Sequence, residues 1–129
     1  MRRLFLKRWL LILTALFALL ILLIVIGADA DRLPRLVQYV YDFPGGDKAG
    51  HFFLFGILSF LLNKSALNLF PERDPARLVP TVSLLLAILI GLEEWSQALF
   101  PARTMSLLDL TASYVGVIFF ALLACRTRT

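Results

Sequence analysis

Between Trp9 and Gly27 the chain carries a single polar side chain, Thr14, and no other feature limits its fold so severely. A helix rises 1.5 Å per residue, so about 20 apolar residues cover a hydrocarbon core of roughly 30 Å. In lipid a helix also satisfies its backbone N–H and C=O groups within the segment. Three more stretches approach that length and character. The second starts near Ala49, runs through HFFLFGILSFLL and extends toward residue 69. The third begins near Leu78, with Pro80 expected in its first turn, where a missing N–H costs little. The fourth covers Met105 to Cys125, with Asp109 its only charge. Since 60% of the 129 residues are hydrophobic and 17% charged, a water-soluble domain would have too little interior to hide the apolar surface. The expected fold is all-α. One domain, residues 1–129, forms a bundle of four transmembrane helices at about 9–27, 49–69, 78–99 and 105–125.

The first stretch also fits a secretory signal, with its basic start MRRLFLKR and the small-x-small sequence Ala28-Asp29-Ala30. A signal's apolar core usually runs about 7–15 residues, and this one is longer, so it is read as an uncleaved helix. Orientation follows from basic residues in short loops, which favour the cytoplasm. The N-terminus, the second connection and the C-terminus hold nine, whereas the other two connections hold four, namely Arg32, Arg35, Lys48 and Arg103. Both termini are therefore expected to be cytoplasmic. The net charge of +4 arises from 13 Lys+Arg against 9 Asp+Glu spread over helix ends, without the continuous basic patch that nucleic acid requires. The lone Cys125 permits no internal disulfide, and no cofactor motif or metal set is expected.

In the long connection, residues 28–48, Leu33, Leu36, Val37, Val40 and Tyr41 recur at helical spacing, with Pro34 placed to open a helix and Pro44-Gly45-Gly46 to end it. Two readings stay open: a short interfacial helix on the outer membrane surface with its apolar stripe down, or an amphipathic linker packed on the bundle. The inner connection (NKSALNLFPERDPAR), with two prolines and mixed charges, suits a solvated turn. Trp9 and Trp95 fall at opposite expected membrane interfaces.

Ionisable groups inside or at the edge of spans are expensive, and here they gather at one end. Asp47, Lys48 and His51 lie where the second span begins; Glu93, Glu94 and Gln97 where the third ends; Arg103 in the short loop that follows; Asp109 in the first turn of the fourth. Asp47 and His51 are four apart and share a helix face, and Gln97 shares a face with either glutamate. Asp109, Ala112, Ser113 and Gly116 follow i, i+3, i+4, i+7, which heads a small-residue stripe with an acid and turns Asp109 into the bundle. Simpler readings stand beside these. Asp47 can cap the second helix, Ser106 and Asp109 fit a capping box, and Lys48 can snorkel to the headgroups. One of the two adjacent glutamates must face outward.

The segments Asp47-Lys48-Ala49-Gly50-His51-Phe52, Glu94-Trp95-Ser96-Gln97, Pro101-Ala102-Arg103 and Ser106-Leu107-Leu108-Asp109, with Gly116 beyond, resemble the VanZ-like membrane proteins. Those are small bacterial proteins of about four spans with Asp-Lys-x-x-His, Glu-x-x-Gln, an Arg, and Asp-x-x-x-Asn-x-x-Gly. The likeness covers roughly residues 44–120. Ser113 stands at the family's Asn position, with one oxygen where an amide has a separate donor and acceptor. The resemblance implies a bacterial inner-membrane protein, and one member's link to teicoplanin resistance implies envelope or lipid-linked chemistry.

Two kinds of function fit. In the first, the cluster binds or processes an anionic envelope or lipid-linked component: His51 exchanges a proton, Asp109 or Glu94 orients the imidazole, and these three form the candidate catalytic set. Arg103 would hold a phosphate or carboxylate, with Gln97, Asp47, Lys48 and Ser113 as further binding residues. In the second, the cluster is a structural lock or partner-binding surface in a non-catalytic bundle. Proton or ion movement is disfavoured, because the middle and inner thirds of the spans carry no charged relay.

Overall fold

A computed structural model describes residues 2–101 and 106–127, with the backbone alone at Tyr41. The elements are α1 (Arg2–Asp29), α2 (Arg35–Asp42), α3 (Gly46–Leu69), α4 (Pro75–Ser96), a single 3-10 turn (Gln97–Leu99) and α5 (Leu107–Arg126), with no strand among the described residues. Four are long and apolar enough to cross a membrane: α1, α3, α4 with its 3-10 extension, and α5.

Helix ends account for the differences from the expected boundaries. Asp74 accepts a hydrogen bond from the backbone N–H of Ala76 at 3.1 Å, and Pro75 opens α4 just behind it. The helix therefore starts ahead of residue 78, and Pro80 lies inside it, past the first turn where it was expected. At the end of α1, Asp31 takes a left-handed φ of 56°. The N–H of Arg32 then bonds Gly27 O at 2.7 Å and that of Asp31 bonds Ala28 O at 3.1 Å, closing the helix as a Schellman motif. Before α3, Gly45 at φ 77° is the N-cap, a conformation glycine adopts without steric cost. Asp47 lies within the first turn and makes no capping bond, so the expectation that it caps this helix does not hold. Of the stretch NKSALNLFPERDPAR, Asn63 to Leu69 belong to α3, with Asn63 and Ser65 buried, and residues 70–74 make the connection.

The centre of the bundle is α3, which touches each of the other helices and packs along α5. That approach depends on two glycines. A Cβ on Gly116 would collide with the carbonyl of Phe52, and one on Gly56 with the Phe120 ring. Ile21, Phe55, Leu58, Leu86, Ile90 and Val117 form the main apolar core. On α1 only Thr14, Ile21 and Ala28 are buried, a seven-residue spacing that gives one narrow contact seam and leaves the rest of its leucines exposed. Thr14 Oγ1 donates to Leu10 O at 2.7 Å or shares a 3.0 Å bond with Ser65 Oγ of α3.

Other polar pins cross the apolar interior. Ser59 Oγ donates to Val117 O at 2.9 Å, Asn63 Nδ2 lies 3.2 Å from Ser83 Oγ, and Tyr114 OH donates to Ala87 O at 3.0 Å. The helices alternate in direction, and Lys64 Nζ reaches Thr127 O at 2.7 Å, so both ends of the described chain lie opposite the first turn of α3. Helix α2 exists as expected, with Leu36, Tyr39 and Val40 exposed, and its apolar side walls a cavity against α1 and α3.

Candidate functional site

Two first turns meet at one end of the bundle. Gly45 ends the preceding loop so that α3 opens with Asp47, Lys48 and His51, and Ser106 caps α5 so that Asp109 falls in its first turn. Where α3 and α5 touch, His51, Asp109 and Ser113 are all buried. Lys48 Nζ lies 3.3 Å from Asp47 Oδ2 and 3.5 Å from Asp109 Oδ1, with its side chain 45% exposed. His51 Nε2 lies 3.9 Å from Asp109 Oδ2, and its Nδ1 lies 3.0 Å from Ser113 Oγ.

The Ser113 bond orients the imidazole. Ser113 Oγ donates its one proton to the carbonyl of Asp109 at 3.0 Å, so it accepts from His51 Nδ1–H. Nε2 is thereby turned toward the Asp109 carboxylate, which would hold a proton taken up there. One hydroxyl thus donates and accepts at once, the two tasks that an amide divides between two atoms.

A second group lies at the end of α4. Glu94 and Gln97 are each 1% exposed. Glu94 Oε1 accepts from the backbone N–H of Ser106 at 2.7 Å, and its Oε2 accepts from Gln97 Nε2 at 3.2 Å. Gln97 Nε2 also donates to Glu93, at 3.0 and 3.1 Å to its two oxygens. Of the two glutamates, Glu94 is thus the inward one. The capping box expected at Ser106 is half present: Ser106 Oγ accepts from Asp109 N–H at 3.3 Å, but the return bond to the Ser106 N–H comes from Glu94. Because Glu94 supplies that bond, the Asp109 carboxylate is left for Lys48 and His51. Ser106 therefore joins the two groups, a role that its sequence motif alone did not reveal.

Of the candidate residues, Asp47, Lys48, His51, Asp109 and Ser113 form one array, and Glu94 and Gln97 a neighbouring one. Arg103 lies outside the described residues. Among the described residues, no three His, Cys, Asp or Glu side chains are grouped for a metal ion. The interior pins Thr14, Ser59, Asn63, Ser65 and Ser83 were not singled out as a set. Their signal was the isolated polar residue in an apolar span, which is costly unless a neighbouring helix answers it.

These features define an all-helical chain with four membrane-length helices and a polar array at one end. No family model, curated protein or solved structure matches it.

Proposed function

We propose that the chain is a multi-pass protein of the VanZ-like type in a bacterial inner membrane, with both termini cytoplasmic. Its polar array lies at the outer leaflet and binds the anionic group of an envelope lipid or lipid-linked component. The observation that carries this reading is the convergence of Asp47, Lys48 and His51 on α3 with Asp109 and Ser113 on α5 beside a cavity. Lys48, half exposed, supplies the cation for a phosphate or carboxylate. His51, held by Ser113 with Nε2 toward Asp109, is the group that would pass a proton to or from the bound component. Glu94 braces the start of α5 and acts as a positioning residue.

The competing reading, a structural lock, draws on a specific observation: both oxygens of the buried Glu94 are hydrogen-bonded, Oε2 locally to Gln97 and Oε1 to the N-cap of α5. Single substitutions Lys48→Ala, His51→Ala and Asp109→Asn separate the two when membrane abundance is measured beside susceptibility to an envelope-directed glycopeptide. The binding reading expects altered susceptibility at unchanged abundance. Loss of abundance in all three, or unaltered susceptibility in all three, would overturn it.

A further inference from the structure

The cavity beside the array has a volume of about 300 Å³, at the lower end of ligand pockets, which run from roughly 300 to 1,000 Å³. Its walls are hydrocarbon: Ile21, Val25 and Ala28 from α1, Leu36 and Val37 from α2, and Leu54 from α3. At 1.5 Å per residue, the segments Ile21–Ala28 and Asp47–Phe55 make it about 10–12 Å long parallel to the helix axes. The charged or ionisable side chains on its wall are Asp47 and His51, from the first turns of α3, and Glu93, near the end of α4.

An apolar cavity of this kind does not hold water stably. Nor does it admit a helix from a partner or a second copy, whose diameter with side chains is about 10–12 Å. A hydrocarbon chain fits both its shape and its lining, and a bilayer supplies such chains at high concentration. The polar end then selects the head. Asp47 and Glu93, the latter also accepting from Gln97, put two acidic residues on the polar end of the wall that complement a cation, while Lys48, 3.3 Å from Asp47 and half exposed, complements an anion just outside it. An amphiphile that carries both charges close together meets this arrangement.

We infer that the space between α1, α2 and α3 is an acyl-chain site for a phospholipid with a primary ammonium head. The ammonium lies against Asp47 and Glu93, and the phosphate lies toward Lys48. This rests on the reading of the cluster end as a ligand site, and adds to it the class of molecule and where its chain goes.

Gly50 offers a clean test, because it lines the cavity and a Cβ built on it meets no atom within 4 Å. Gly50→Leu therefore starts its side chain in open space and extends it into the chain site. The full chain is purified in mild detergent with an equimolar mixture of phosphatidylethanolamine and phosphatidylglycerol, and retained lipid is counted by native mass spectrometry. The wild type is expected to keep one phosphatidylethanolamine per chain, and Gly50→Leu to keep about tenfold less, the effect of displacing a few buried methylenes. The double variant Asp47→Asn/Glu93→Gln is expected to bring the two lipids toward equal retention. If Gly50→Leu loses helical circular dichroism, Val37→Phe fills the same space from α2 and decides the matter.

Equal retention by the plugged and wild-type chains, or equal retention of the two lipids by the wild type, overturns the inference. If no lipid is retained while His51→Ala still alters susceptibility, the chain site fails and the proposed function stands. If lipid is retained as expected while Lys48→Ala, His51→Ala and Asp109→Asn leave susceptibility unaltered, the reverse holds.

Discussion

Replacing Glu94 by alanine should destabilise the bundle far more than replacing it by glutamine. Its carboxylate, 1% exposed, accepts from the Ser106 N–H at 2.7 Å and from Gln97 Nε2 at 3.2 Å. Bonds to a charged acceptor contribute about 1.5–3 kcal/mol each in water-soluble proteins, but side-chain bonds between membrane helices average nearer 0.6 kcal/mol. The Ser106 bond belongs with the stronger class, because its donor is the backbone N–H of the residue capping α5. Without Glu94 this part-buried donor falls back on Asp109, whose carboxylate would have to leave Lys48 and His51, and a donor left unsatisfied costs about 1–3 kcal/mol. With the weaker Gln97 bond added, Glu94→Ala is expected to cost about 2–4 kcal/mol. Glu94→Gln keeps an oxygen for the Ser106 N–H and sets its amide nitrogen against that of Gln97. It therefore loses about 1 kcal/mol, offset in part by the removal of one of two adjacent negative charges. Unfolding in mixed micelles of rising dodecyl sulfate fraction, followed by circular dichroism, gives both values. Hydrogen exchange at the Ser106 amide gives an independent reading and should quicken in the alanine variant alone. Should Glu94→Ala unfold within about 0.5 kcal/mol of the wild type, the level of an ordinary surface change, or should glutamine prove as damaging as alanine, the bracing role is refuted.

The glycines make a paired test. Gly116→Leu sets a side chain against the backbone of Phe52, which cannot rotate away, and should cost about 3 kcal/mol or more. Gly50→Ala, facing open space within a helix, should instead stabilise by about 0.5–1 kcal/mol in the same unfolding assay. A double-mutant cycle with Thr14→Val and Ser65→Ala should give a coupling of about 0.6–1.7 kcal/mol, and zero coupling would remove this bond as the pin between α1 and α3. Ser113→Ala should leave the fold in place but release His51 Nδ1, seen by nitrogen NMR as a mixture of imidazole tautomers where the wild type shows one.

The four long helices were legible because the cost of an unsatisfied backbone in lipid leaves a run such as Trp9–Gly27 almost no other structure. The gathering of charges at one end was legible too, since it needs only element order and helix length. Partner choice was not. Ser106 and Asp109 read as a complete capping box, yet the Ser106 N–H is taken by Glu94, twelve residues away. Spacing within one helix reports which residues share a face and says nothing about which donor a neighbouring helix presents. Asn63 and Ser65 fall both within the expected span 49–69 and within the stretch NKSALNLFPERDPAR whose composition suits a turn. Both are buried within α3 because Ser83 on α4 and Thr14 on α1 answer them. The left-handed Asp31 and the position of Pro80 past the first turn also depend on where a helix stops or starts, which caps decide more finely than hydropathy does.

The two halves of the polar end differ in how tightly they are made. Around Glu94 both carboxylate oxygens have hydrogen-bonded partners, at 2.7 and 3.2 Å, as expected where buried polar groups serve only to fix one packing. Around Asp109 the geometry is looser. Among the described residues its Oδ1 has no hydrogen-bond partner, Lys48 Nζ lies 3.5 Å from it, and His51 Nε2 lies 3.9 Å from Oδ2. Asn63 Oδ1, within one of the interior pins, is likewise without a hydrogen-bond partner among the described residues, so an open oxygen alone does not separate a lock from a binding array. Access separates them: on the proposed function, a side chain that must exchange a partner or a proton adjoins an exposed group and a cavity. The half-exposed Lys48 and the cavity wall formed by Asp47 and His51 adjoin this looser half. On the proposed function, Glu94 holds the array in place, and His51, Asp109 and Lys48 are the residues that meet the ligand.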